Sequence, residues 1–282
     1  MMIDGYQVVD AHMHYTGIFK GERTFIEYMD ENGIDSAIVN TLNKRANLGD
    51  FSRGSPADLV KKTMNPGFQI FEDFTHGQPD HGHLEQLAQE CDRIIPFFWY
   101  NPVDPDDPKK EGLDEVKKAL DAGFKGVKIQ LAMTPCSIED LYPLAGILEN
   151  MDHVPLYIHP SAGLYGAGRT NPVDIASLCK KFPKLNIILG HAAYTMEFCI
   201  EVIIASFGVT NLFFETSVSI PYGIISLLKF FGHRRVIFGS DSPAATPFEV
   251  EYAKISALNI SNRARKAILC GNIRRLLGLK KE

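Results

Sequence analysis

Residues 113–131 read LDEVKKALDAGFKGVKIQL, and the change of period inside that stretch decides the fold. Leu113, Val116 and Leu120 recur at the spacing of one helical face, Gly123 stops the pattern, and Phe124–Leu131 follows as a strand. The same unit repeats in both directions. Toward the C-terminus, helices Ile138–Met151, Val173–Phe182, Thr195–Phe207 and Pro221–Phe231 precede strands Pro155–His159, Asn186–His191, Leu212–Thr216 and Arg235–Asp241. Toward the N-terminus lie strand Tyr6–His14, helix Thr24–Asn32, strand Ser36–Thr41, helix Leu84–Asp92 and strand Arg93–Asn101. Aspartate or serine caps, prolines near helix starts and glycines just past helix ends set the boundaries.

Eight strands result, nearly all continuous apolar runs. Such runs are buried on both faces, as in a parallel sheet covered by helices. Eight consecutive strand–helix units favour a closed α/β barrel, the (β/α)8 or TIM barrel, over an open sheet. The first strand is not followed by a glycine-rich turn, so the dinucleotide-binding fingerprint is missing. The length of 282 residues suits one barrel of roughly 250 residues with additions, so we read residues 1–282 as a single domain. The additions are a polar stretch over 43–83, longer than ordinary loops and read as a substrate lid, and one or two helices within Ser261–Gly278.

Composition narrows the class. Apolar residues make up 45% of the chain, which supports a packed core rather than disorder. A net charge of −5 with scattered basic residues weighs against a nucleic-acid partner. The apolar runs are too short to cross a bilayer, so no membrane partner is expected. The opening Met1–Gly5 carries no export signal. The five cysteines, an odd number without close pairing, suggest reduced thiols and a cytoplasmic protein.

In a (β/α)8 barrel the site forms where the strands end. Asp10, His12 and His14 alternate at the end of the first strand, and a period of two predicts all three on one face. His159 closes the fifth strand, His191 the sixth and Asp241 the eighth. Four strands thus deliver histidine or aspartate to one rim, a donor set that suits zinc or a related divalent ion with a position left open for water.

In sequence, Val8-Val9-Asp10-Ala11-His12-Met13-His14 resembles the Asp-x-His-x-His opening of the amidohydrolase superfamily. Leu156-Tyr157-Ile158-His159-Pro160, Ile188-Leu189-Gly190-His191-Ala192 and Phe238-Gly239-Ser240-Asp241-Ser242-Pro243 are similar to its later motifs in the amidohydrolase-related (amidohydrolase 2) branch. That branch includes the aminocarboxymuconate-semialdehyde decarboxylase-like proteins, and the closing helix Ile268–Leu279 also resembles it. The resemblance covers nearly the whole chain outside 43–83. It implies His12, His14, His159 and Asp241 as ligands of one divalent ion, zinc foremost, with manganese, iron or cobalt as alternatives and no second metal. It further implies Asp241 as the group that takes a proton from bound water and His191 as a substrate-polarising or proton-carrying group. Asp10 is expected to orient a ligand from behind.

Lys128 sits near the end of the fourth strand, where binuclear members of the superfamily carry a carboxylated lysine. Its alternatives are an ammonium that binds a substrate carboxylate, a structural ion pair, or a metal-bridging carbamate. Trp99 at the end of the third strand, Glu215 at the end of the seventh and Arg169 in the loop after His159 are weaker substrate-binding candidates. His76, His81 and His83 read as polar loop histidines. The expected activity is hydrolysis of a small carboxylated amide, ester or lactone by metal-activated water. Non-oxidative decarboxylation at the same site is the alternative, and a nuclease of the TatD type or a non-catalytic barrel stands behind both. The apolar helices Phe198–Phe207 and Ile224–Phe231 read either as barrel cover or as the face of a homodimer.

Overall fold

A computed structural model of the chain describes residues 3–15, 24–41, 79, 81–104, 106–107, 112–131, 136–160 and 171–279. Eight parallel strands lie in the order of the chain: β1 (Val9–Tyr15), β2 (Ser36–Thr41), β3 (Ile94–Trp99), β4 (Gly126–Gln130), β5 (Leu156–His159), β6 (Ile187–Leu189), β7 (Leu212–Glu215) and β8 (Val236–Ile237). The last strand returns to the first. Ala11 N–H donates to the Phe238 carbonyl at 3.0 Å, Asp241 N–H to that of His12 at 2.7 Å and His14 N–H to that of Ser242 at 3.0 Å. The result is the (β/α)8 barrel expected from the alternating pattern.

Between the strands run α1 (Phe25–Glu31), α2 (Gly82–Glu90), α3 (Gly112–Asp121), α4 (Tyr142–Leu148), α5 (Pro172–Lys181), α6 (Met196–Ala205) and α7 (Pro221–Phe231). Local chemistry places their starts. Thr24 and Glu27 form a reciprocal capping box on α1, and Asn171 and Asp174 form one on α5. The predicted helix over 138–151 is divided into a 3-10 turn (Ile138–Leu141) and α4. Pro143 falls at the start of α4, where its missing amide hydrogen is tolerated.

Two differences lie near β8. That strand is only two residues long, and it is followed by α8 (Phe248–Ser256), which the sequence pattern does not predict. Phe248, Glu251, Tyr252 and Ile255 are its buried residues, the three apolar ones spaced i, i+4, i+7 as a helix requires. The chain then runs through α9 (Asn262–Lys266), a π-helical turn (Ala267–Gly271) and α10 (Asn272–Leu276).

The buried side chains form two cores. The larger lies between strands and helices; the smaller fills the barrel with Val9, Ala11, Ile38, Phe97, Ile188 and Ile237. Cys270, Ile273, Leu276 and Leu277 of the terminal run join that inner core. They seal the end of the barrel where the strands begin and leave the opposite end for the site.

Candidate metal centre

β1 departs from a regular strand. Its register against β2 slips between Asp10 and Met13, which is a β-bulge. Val9 and Ala11 both enter the inner core, while Met13 enters the outer one. The predicted single face for Asp10, His12 and His14 is therefore corrected: the extra residue separates Asp10 from the two histidines. Asp10 turns to the β1–β8 seam instead. Its Oδ1 accepts the amides of His12 at 3.0 Å and Ser240 at 2.9 Å, in place of a ladder carbonyl. Burial pushes its pKa up to about 8, against these hydrogen bonds, which lower it.

His12 and His14 face each other inside the rim. Their Nε2 atoms are 3.1 Å apart, and Asp241 Oδ1 is 3.4 Å from the first and 3.1 Å from the second. Ligands about 2.0–2.2 Å from a tetrahedral or octahedral ion sit roughly 3.0–3.5 Å from one another along the polyhedron's edges. The three donor atoms have that spacing, so His12, His14 and Asp241 could hold a divalent ion. Burial keeps the imidazoles neutral, pushing His12 down to about 3 and lowering His14. For Asp241, burial alone would raise the carboxyl, but His12, His14 and His191 hold it well below its usual range. Neutral imidazoles beside an ionised carboxylate are what a metal requires.

Behind the donors a hydrogen-bond network settles the tautomers. Tyr157 donates its hydroxyl to Glu215 Oε2 at 2.8 Å, and Ser217 Oγ donates to the same oxygen at 2.7 Å. With both hydroxyl hydrogens committed, His12 Nδ1–H donates to Tyr157 Oη at 2.8 Å. The lone pair of His12 is then on Nε2, facing Asp241. His191 Nδ1 likewise has acceptors in the Ser217 carbonyl at 3.1 Å and Ser217 Oγ at 3.0 Å. Its Nε2 is buried without a hydrogen-bond partner among the described residues, 3.5 Å from Asp241 Oδ2.

Glu215, expected at the substrate, is held from several sides. Its two oxygens are occupied by Tyr157, by both the amide and the hydroxyl of Ser217, and by the His191 amide. Burial would raise its pKa, yet the bonds and charges around it, His12 first, hold it at about 2. It also approaches His12 and His191 as a second donor triplet.

The remaining predicted residues fall at varied distances from the donors. Lys128 is fully buried with Nζ 2.8 Å from His12 Nε2 and 3.9 Å from the centre of the Tyr157 ring; burial pushes its pKa down to about 7. His159 stacks edge-on to His191 at 4.4 Å and directs Nδ1 to the Pro160 carbonyl at 2.8 Å. It is not in either triplet whose donor atoms lie within 4.8 Å of one another. Trp99 is buried, with its ring 6.3 Å from that of His14. Arg169 and His76 fall outside the described residues, as does most of 43–83. His81 lies just before α2, as expected of a loop histidine, where it stacks on Phe98 at 4.0 Å and accepts the Trp99 amide at 2.8 Å; His83 is already within α2.

Sequence reasoning misses two contributors. Tyr157 stands inside an apolar strand run, where nothing marks it as polar machinery. Asn40 pairs with His14 in the β1–β2 register and is fully buried, with both amide atoms lacking partners among the described residues. Backbone conformation gives no sequence signal either. His191 and Asp241 take φ of 51° and 57°, a left-handed conformation that costs a non-glycine residue about 1–2 kcal/mol and clusters at functional sites.

The sequence profile of the amidohydrolase family matches residues 9–279. No curated protein sequence matches the chain. Among solved structures, the fold is similar to 2,6-dihydroxybenzoate decarboxylase from Rhizobium, at 20% identity over 98% of this chain and 99% of that one, with a TM-score of 0.64. It is also similar to 5-carboxyvanillate decarboxylase from Novosphingobium aromaticivorans in complex with manganese and 4-hydroxy-3-methoxy-5-nitrobenzoic acid (18% identity, 98% and 97% covered, TM-score 0.64). A third is 4-oxalomesaconate hydratase from Rhodopseudomonas palustris (18%, 96% of each chain, TM-score 0.63). At these identities the likeness is one of fold. Among the described residues no helix is long and apolar enough to cross a membrane.

Proposed function

Because the chain belongs to the amidohydrolase family of enzymes, we propose that it uses a divalent ion at His12, His14 and Asp241, with His159 as a further ligand, to decarboxylate a small organic acid without oxidation. The observation that carries the metal is the edge-length spacing of three lone-pair donors, one of them with its tautomer fixed by Tyr157 and Glu215. When bound, the ion supplies Lewis acidity toward a substrate oxygen and lowers the pKa of its water. The donor set alone puts zinc first; the manganese of a structural neighbour makes that ion an equal candidate.

The protein's own groups supply a proton path. Asp241 Oδ2 and His191 Nε2 stand 3.5 Å apart, so a proton carried on His191 lies beside the ionised Asp241 carboxylate. In decarboxylation the bond to the carboxylate carbon breaks, its electron pair remains on the substrate carbon, and carbon dioxide leaves. The Asp241–His191 pair then delivers its proton to that carbon. Lys128 is a buried amine beside the donors and offers a partner for a substrate carboxylate. Asn40 offers one donor and one acceptor to the rest of the molecule.

Hydrolysis of an amide, ester or lactone is the second reading. The family profile favours it, and the same Asp241–His191 pair would take the proton from water. Decarboxylation stands first because two of the structural neighbours are named as decarboxylases. Both readings take a small-molecule substrate and neither needs a nucleic acid or a membrane.

The test loads the protein separately with zinc and manganese and offers hydroxybenzoates, lactones and amides in deuterium oxide. Carbon dioxide release with one deuterium at the vacated carbon is expected. Product formed with its carboxylate retained would move the assignment to hydrolysis. A protein that takes up neither metal would sink both readings.

A further inference from the structure

The loop between β7 and α7 is held from two sides through one peptide, Ser217–Val218. Its carbonyl accepts from His191 Nδ1–H at 3.1 Å, and its N–H donates to Glu251 Oε2 of α8 at 3.1 Å. A trans peptide is planar with carbonyl and N–H opposed, so a grip on one end aims the other. Glu251 is only 3% exposed. Lys254, one turn further along α8, bonds to the same Oε2 at 2.5 Å and to the Ser219 carbonyl at 2.8 Å. Such holding is needed, because Val218 takes a φ of 56°. That conformation is an outlier for a β-branched residue and persists only where the surroundings enforce it. Turning the Ser217–Val218 peptide over would return Val218 to negative φ. Glu251 opposes the turn, since its carboxylate would then meet a carbonyl oxygen.

We propose that Glu251 is a positioning residue that selects the His191 tautomer by fixing the direction of this peptide. As the loop stands, the Ser217 carbonyl takes the Nδ1 hydrogen. The Ser217 hydroxyl, 3.0 Å from Nδ1, has its own hydrogen committed to Glu215 and can only accept as well. Which ring nitrogen carries the hydrogen is set by the bond the other surroundings offer, so the Nε2 lone pair is the one turned to Asp241. With the peptide reversed, the Val218 N–H would face Nδ1 and shift the ring hydrogen toward Nε2. His191 would then present a hydrogen to Asp241 where it now presents a lone pair able to receive a proton. The effect on turnover rests on the proton-carrying role of His191 proposed above; the choice of tautomer does not.

Long-range proton–nitrogen correlation spectra of the full chain with 15N-labelled histidine test this, in metal-free, substrate-free protein at mildly alkaline pH. The His191 signals are assigned from their absence in His191→Gln. The wild type should carry its hydrogen on Nδ1, and Glu251→Ala should populate the Nε2–H form. Adding Val218→Gly removes the strain at positive φ and should return the Nδ1–H form. Glu251→Gln can hold the peptide either way round and should show both tautomers, which keeps the test open if the alanine variant does not fold. A wild type with its hydrogen on Nε2, or Glu251 variants that keep the wild-type tautomer, would overturn the proposal. A double variant no different from Glu251→Ala would overturn the peptide as the route. None of these spectra depends on turnover, so a wild type inactive toward every acid offered would sink the decarboxylase reading and leave this one standing.

Discussion

At Asp10 a single carboxylate oxygen accepts two backbone amides where β1 and β8 close the barrel. Removing it orphans both donors, and a buried unsatisfied amide costs about 1–3 kcal/mol. Asp10→Ala should therefore destabilise the protein by roughly 2–4 kcal/mol in chemical denaturation, whereas Asp10→Asn keeps the acceptor and should stay near the wild type in acid. The pH dependence separates them further. Because the folded pKa is raised to about 8 by burial, the wild type loses stability as pH climbs from about 4 to 8. Metal-free Asp10→Asn lacks that loss and should gain on the wild type across this window; parallel curves would contradict the assigned protonation. Lys128 gives the complementary test. Its amine, with a pKa pushed down to about 7, bonds to His12 Nε2, the lone pair a metal would take. Below pH 7 an ammonium there opposes a dication, so metal binding should release one proton and weaken about tenfold per pH unit. Above pH 7 the affinity should level off, and Lys128→Met should remove the break when measured by competition with a chelator.

Among the elements, alternation of large and absent side chains around the barrel decides how closely the strands approach. A methyl group on Gly126 would strike the Phe97 ring, one on Gly190 the Tyr157 hydroxyl, and one on Gly239 the Glu215 carboxyl and His12 Cβ. The glycines belong to β4 and to the segments just past β6 and β8; the large side chains belong to β3, β5, β7 and β1. This is the layered filling of a (β/α)8 barrel, with the upper layer turned to metal chemistry. Gly239→Ala should cost about 1–3 kcal/mol through overpacking. It should also weaken metal affinity by displacing His12, which isothermal titration would detect as a lower binding constant at unchanged stoichiometry. Local pattern makes much of this legible in sequence. Pro221–Phe231 and Ser36–Thr41 have the predicted limits because their boundaries depend on nearby prolines, glycines and caps. The bulge in β1 is not legible, since register is settled by the neighbouring strand, and its consequence for Asp10 is hidden with it. Tyr157 escapes notice because a hydroxyl in an apolar run looks like packing until Glu215 is placed against it. Phe248–Ser256 has a readable period, masked by the proline-flanked segment that precedes it.

For the molecule as a whole, the chain's end completes its beginning. Val9 and Ala11 at the start of β1 share a core with Ile273 and Leu276 near the C-terminus. Phe238 N–H donates to the Ile268 carbonyl at 3.0 Å, and the Asn272 side chain donates to the carbonyls of His233 and Val236. The terminal run therefore plugs the lower mouth and also anchors β8, whose continuation carries Asp241 to the upper rim. Loss of packing at the plug should act differently from loss of the plug. Ile273→Ala removes a buried side chain at a typical cost of 2–5 kcal/mol, lowering the melting temperature while metal stoichiometry at saturation stays at one. Truncation after Ser261 exposes the inner core and leaves Val236 and His233 without their donor, so no cooperative melt and no metal uptake are expected. A truncated chain that still melted cooperatively and bound metal would show the barrel to be self-sufficient. The terminal run would then be an appendage, with no part in positioning Asp241.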